Sequence, residues 1–276
     1  MSSRQYFDAD DGTRIPVHVK GQGPALVILH GWTGHFQDWR PVVERLKHRF
    51  TCYGWEARPY HGENPTMARM GRDVQNMLDA LGLQRPLLLG HSMGAAVVWE
   101  YLRQYGDQRL GGLCFVDQTP KLFTDDDWRL GLWGGFSAAD NERYLLQLNE
   151  EFAAAVIHLA ARSRLTAAGE PAYPAEFLEA RRQRLLRMEP EPWIAAWADF
   201  ARQDYRDVLP TIRVPTFLAY GAESAYYGPA VAEYVHRHIA GSELVLYPQA
   251  GHAPQVEALE DFVRDLQNFA ERHGLV

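Results

Sequence analysis

The sequence predicts an α/β fold: a mostly parallel, eight-stranded sheet covered by helices on both faces, with a helical insertion late in the chain. Three observations carry this expectation. Short runs rich in Val, Ile, Leu and aromatics alternate with longer helix-like segments, the pattern of a parallel sheet with crossover helices. Near the start, Asp10-Asp11-Gly12 is a turn signal between two further strand-like runs. Between Gln118 and about Val208 no convincing strand occurs, and the composition and spacing are helical.

Taken in order, Gln5–Asp8 and Arg14–Lys20 flank that turn and are expected to form an antiparallel hairpin. Ala25–Leu29, Thr51–Trp55, Pro86–Leu89, Gly112–Val116, Thr216–Tyr220 and Glu243–Leu246 supply the other strands. Segments around Asn141–Arg162, Pro174–Met188 and Pro192–Asp204 read as helices of an inserted cap over residues 120–206, leaving 1–119 and 207–276 as the core. The last segment sets Leu259, Phe262, Val263, Leu266, Phe269 and Ala270 on one helical face, with Gly274 as its stop. That face should pack on the sheet.

With 276 residues the chain can bury one full core plus an insertion. Apolar residues make up 46% and charged residues 23%, an ordinary soluble balance, and no run has the length of a membrane-spanning helix. Met1 to Val19 has neither the basic segment nor the apolar core of a secretory leader. Cys52 and Cys114 sit in apolar, strand-like runs and read as small buried hydrophobes, which fits a reducing, cytoplasmic compartment. The formal charge of −7 disfavours nucleic-acid binding, and Arg181-Arg182-Gln183-Arg184 reads as one solvated helix face rather than a phosphate site. No His/Cys/Asp group has metal-ligand spacing, so neither metal nor cofactor is expected. Oligomeric state is not legible.

The chemistry is concentrated in three short motifs. Gly90-His91-Ser92-Met93-Gly94 follows an apolar strand and precedes a helix-like run, so a sharp turn would project the Ser92 hydroxyl beside a helix N-terminus. Glycines on either side of Ser92 permit the close approach of strand and helix. His30-Gly31-Trp32-Thr33-Gly34 closes an earlier strand, where a glycine-rich loop can aim a backbone N–H at a developing oxyanion. Trp32 and Met93 are the candidate amide donors; a plain strand-to-helix turn is the alternative for the first. Ala250-Gly251-His252-Ala253-Pro254 follows the last strand, so a general base comes after the nucleophile in chain order.

Together these motifs resemble the α/β-hydrolase superfamily over essentially the whole chain outside the cap. Glu56-Ala57-Arg58-Pro59-Tyr60-His61-Gly62 also resembles that family's Asp-x-Arg-Gly-His-Gly loop, with Glu for Asp and one extra residue. The resemblance implies an acid in a Gly-x-x-Asp pattern after the seventh strand, but here Gly221-Ala222-Glu223-Ser224 stands in that place. Two carboxylates compete. Asp117 ends the sixth strand and points to the edge where open α/β sheets place ligands, although a strand-end capping role would also account for it. Glu223 is the rival, one residue out of register. One esterase branch of the family combines Ser in the Gly-x-x-Ser position with an acid after the sixth strand, and resemblance to it implies Asp117 as the acid and Ser224 as an auxiliary hydrogen-bond partner near His252.

The leading functional expectation is a serine hydrolase that cleaves a small carboxylic ester through an acyl-enzyme on Ser92, with His252 as base. Lactone, amide or C–C bond hydrolysis, and peracid formation, would use the same residues. A non-catalytic ligand receptor is the alternative of another class. Among the cap aromatics, Trp133 and Phe136 are expected to line the substrate pocket.

Overall fold

The computed structural model describes residues 3–61 and 64–276. Eight strands form one sheet: β1 (Ser3–Asp8), β2 (Arg14–Gly21), β3 (Ala25–Leu29), β4 (Thr51–Trp55), β5 (Leu87–His91), β6 (Gly112–Val116), β7 (Thr216–Gly221) and β8 (Glu243–Tyr247). Their spatial order is β1-β2-β4-β3-β5-β6-β7-β8. β1 and β2 form the expected antiparallel hairpin and β2 pairs antiparallel with β4, whereas every other neighbouring pair is parallel.

The nine α-helices of the described residues are α1 (Arg40–Leu46), α2 (Met67–Ala80), α3 (Met93–Tyr105), α4 (Ala138–Ala161), α5 (Ala175–Leu185), α6 (Pro190–Phe200), α7 (Pro229–His238), α8 (Pro254–Glu257) and α9 (Leu259–Arg272). A parallel strand buried on both faces must be apolar throughout while its side chains still alternate between faces. The central strands show this. Leu26, Ile28, Leu87, Leu89, Cys114 and Phe217 belong to the core on one face. Their sequence neighbours Val27, Leu29, Leu88, Leu113, Phe115 and Leu218 belong to the other. Helix α9 drives Phe262, Val263, Leu266, Phe269 and Ala270 into the first of these cores, and it ends where Gly274 adopts φ +62°. Cys52 and Cys114 are buried and unbridged.

Helices α4 to α6 lie between β6 and β7 in sequence. No helix of the described residues is long and apolar enough to cross a membrane. Between β3 and β5 the chain changes the direction in which it adds strands, because β4 lies on the far side of β3 and β6 on the far side of β5. The carboxyl ends of two such strands diverge into a crevice, where this class of sheet places its ligands.

Candidate active site

Ser92 sits at that crevice, between the end of β5 and the start of α3, with φ 54° and ψ −126°. Such a conformation costs a non-glycine residue about 1–3 kcal/mol and persists only where the surroundings enforce it. The surroundings here are very close. A Cβ on Gly90 would lie 2.5 Å from the Gly94 carbonyl oxygen, and one on Gly94 would lie 2.2 Å from that of Leu29. Glycine is therefore required at both positions. The Ser92 amide donates to the Val116 carbonyl at 3.1 Å, tying the turn to β6.

The loop after β3 presses against this turn, since a Cβ on Gly31 would lie 3.1 Å from that of Ser92. Its orientation is fixed by His30. The Ala57 amide donates to His30 Nε2 at 3.1 Å, which assigns the ring proton to Nδ1, and Nδ1 donates to the Gly31 carbonyl at 2.8 Å. The Gly34 amide donates to the same carbonyl at 3.0 Å. Because the peptide is planar, two donors on the Gly31 oxygen fix the Trp32 N–H on its opposite side. Neither the Trp32 amide nor the Met93 amide donates to another backbone group among the described residues, so both remain available.

Asp117 adopts φ 43° at the end of β6 and is fully buried. Its carboxylate accepts from His252 Nδ1 at 2.6 Å and from the Ser224 hydroxyl at 2.8 Å on Oδ2, and from the Gly221 amide at 3.1 Å on Oδ1. Burial raises the Asp117 carboxyl, against which the Ser224 and Gly221 donors favour the ionised form. Burial pushes the His252 imidazole down, so it rests neutral with Nε2 free to accept a proton. The rival Glu223 instead holds Arg164 at 2.7 Å.

Several residues that position His252 were not singled out by the sequence. Glu257 accepts from the amides of Gly251 and Ala253 at 3.0 and 3.3 Å, clamping both sides of His252. The His252 carbonyl accepts from His91 Nε2 at 2.9 Å, and the Tyr226 ring lies 4.5 Å from the imidazole. An acid in the first turn after Ala250-Gly251-His252 was the signal available for Glu257.

Ser92, His252 and Trp32 line one cavity of about 420 Å³. Its apolar wall includes Leu122, Leu132, Val156, Leu159, Trp197 and Phe200. Trp133 and Phe136, expected to face substrate, do not line it. Phe136 is buried between Trp133, Phe123 and Trp197, and the Arg162 guanidinium covers the Trp133 ring at 4.1 Å. Both belong to the packing of the insertion, because aromatics in a small helical layer are needed first to fill its own interior. Phe136→Ala is accordingly expected to cost about 3–5 kcal/mol of stability while leaving the ranking of acyl chain lengths unchanged. Thermal denaturation and a chain-length series on the folded variant check this.

The arginine cluster also departs from expectation. Arg182 and Gln183 are exposed, but Arg181 and Arg184, three residues apart on α5, share a face and line the cavity.

In the Glu56–Gly62 segment, Arg58 is fully buried and holds Asp73 through two 2.6 Å hydrogen bonds. Gly62 lies outside the described residues. The sequence showed no metal-ligand spacing, yet folding brings donor atoms of His18, His35 and Glu56 within 4.8 Å of one another. Within this group Glu56 is hydrogen-bonded by His18 at 2.5 Å and, from outside it, by His61 at 2.7 Å, while His35 faces Glu56 through Nε2 at 3.7 Å and accepts from the Gln37 amide on Nδ1 at 3.0 Å. The group lies outside the cavity lining.

A family model described as the alpha/beta hydrolase fold matches residues 24–259. The chain is 28% identical over 261 residues to a pimeloyl-[acyl-carrier protein] methyl ester esterase of Vibrio vulnificus, covering 94% of this chain and 98% of that protein. Among solved structures, an esterase from Exiguobacterium antarcticum superposes with a TM-score of 0.87 at 22% identity, covering 97% of this chain and 99% of that one. A bromoperoxidase from Bacillus anthracis gives 0.86 at 19% identity, covering 98% and 100%.

Proposed function

The chain belongs to the α/β-hydrolase fold family, and we propose that it is a carboxylic-ester hydrolase acting on a small ester through an acyl-enzyme on Ser92. The observation that carries the reading is the 2.6 Å hydrogen bond between buried Asp117 and His252, with Ser92 in the same cavity. Asp117 fixes the imidazole tautomer and balances the charge it gains, so His252 Nε2 takes the Ser92 proton as Oγ attacks the ester carbonyl. The carbonyl oxygen becomes an oxyanion, stabilised by the Trp32 and Met93 amides, which are preset and need no reorganisation during the reaction. Collapse expels the alcohol, protonated by His252, and leaves the acyl group on Ser92. Water, deprotonated by His252, then attacks the acyl-enzyme, and the second collapse releases the acid and restores the Ser92 hydroxyl.

The helical segment 120–206 acts as the cap, and its cavity-lining residues Leu159, Trp197 and Phe200 contact the acyl or alcohol chain. Two buried, unbridged cysteines accord with a reducing, cytoplasmic setting. The name of the Vibrio relative, a methyl ester esterase, accords with a small alcohol as leaving group.

Fluorophosphonates phosphonylate an activated serine with loss of fluoride, so one equivalent of label on the Ser92 peptide, seen by mass spectrometry, is the expected result. A folded, labelled Ser92→Ala protein would place the nucleophile elsewhere, and an unlabelled native protein would favour a ligand-binding role.

A further inference from the structure

The cavity contains more positive than negative charge. Arg181 and Arg184 both line it, with Asp38 as the carboxylate beside them. Asp38 is committed, since its Oδ1 accepts from Arg184 at 2.7 Å. Arg181 makes no salt bridge among the described residues; its one hydrogen bond is to the Thr33 hydroxyl at 3.3 Å, and its buried Nε has no partner. A guanidinium withdrawn from bulk water without a counter-ion is costly, and that cost is relieved when an anion enters. The planar fork of donors is matched to a carboxylate, which it can hold through two parallel hydrogen bonds. Thr33 directly follows Trp32, so the charge stands beside the loop that offers the oxyanion amide. The apolar lining of the same cavity suits a hydrocarbon chain.

We infer that the substrate is an ester carrying a carboxylate group, and that Arg181 binds this carboxylate while Ser92 attacks the ester. The inference rests on the esterase reading above and specifies its substrate class. Arg181 also disfavours protonation of His252 by repulsion, and an anion bound to it would weaken that effect.

The test compares monomethyl esters of straight-chain dicarboxylic acids with neutral methyl esters of equal length, and esters whose carboxylate lies on the alcohol side with their neutral counterparts. Wild-type protein should show a higher kcat/KM for the acidic member of at least one pair, which also tells which side of the ester bears the charge. Arg181→Met should collapse that preference by about 10- to 100-fold, the usual effect of removing a hydrogen bond to a charged group, mainly through KM. Arg181→Lys should retain part of it. In a Ser92→Ala background, the preferred acidic ester should raise Tm, and the added Arg181→Met change should abolish the shift. If Arg181 only supports the Thr33 loop, Arg181→Met will slow acidic and neutral esters equally and the inference is overturned. Turnover of neutral esters with no acidic preference would also overturn it while leaving the esterase reading intact. No turnover of any ester by folded protein would remove both.

Discussion

Ser92→Ala is expected to lower kcat on an activated ester by about 10⁴- to 10⁶-fold, the scale seen when the nucleophile of a serine hydrolase is removed. The change deletes only an oxygen, and the turn that carries it is fixed by other atoms. Gly90 and Gly94 permit the close approach, and the amide at position 92 retains its bond to the Val116 carbonyl. Circular dichroism and Tm should therefore stay close to wild type. The residual rate should exceed that in water, because the Trp32 and Met93 amides can still polarise a bound carbonyl. Near-normal turnover by the folded variant would remove the acyl-enzyme mechanism.

The second large effect is expected at Asp117. Asp117→Asn keeps the shape but puts an amide where His252 Nδ1 requires an acceptor, and the serine-protease precedent for this change is a fall of about 10⁴ in kcat. Placed at the Oδ2 position, the Asn nitrogen would also face the Ser224 hydroxyl, which now donates there, while the Asn oxygen would keep the Gly221 amide. Ser224→Ala should be milder, since a hydrogen bond to a charged group contributes about 1.5–3 kcal/mol, or roughly 10- to 100-fold in rate. Glu223→Gln should be mildest, because Glu223 holds Arg164 and not His252. A near-silent Asp117→Asn with a crippling Glu223→Gln, each measured as kcat on folded protein, would move the acid to the loop after β7.

Much of this architecture follows from local pattern. The strand runs are short, apolar and bounded by turn residues, so their positions could be read to within about two residues; β5 differs most, ending at His91 rather than Leu89. Gly90-His91-Ser92-Met93-Gly94 was legible because its meaning is local: a glycine is needed wherever backbone approaches backbone within one turn. Asp117 was only one of two candidates, because a carboxylate after β6 and one after β7 are equivalent until the register of Val116 against Ala219 brings both loops together. That pairing places Gly221 and Ser224 around Asp117 and leaves Glu223 beside Arg164.

The sequence by itself determined the sheet, the elbow at Ser92 and the chain order of nucleophile and base, since each depends on periodicity or on backbone sterics among near neighbours. Tertiary structure alone decided which distant side chains share the cavity. Helix α5 turns Arg181 and Arg184 inward although its sequence is that of a solvated helix, whereas Trp133 and Phe136 turn into the packing of the insertion. The physical reason is that hydropathy records what a side chain gains by leaving water. Whether an arginine faces solvent or a cavity, and whether an aromatic fills a core or lines a pocket, depends on the surface set against it, which elements far apart in the chain supply.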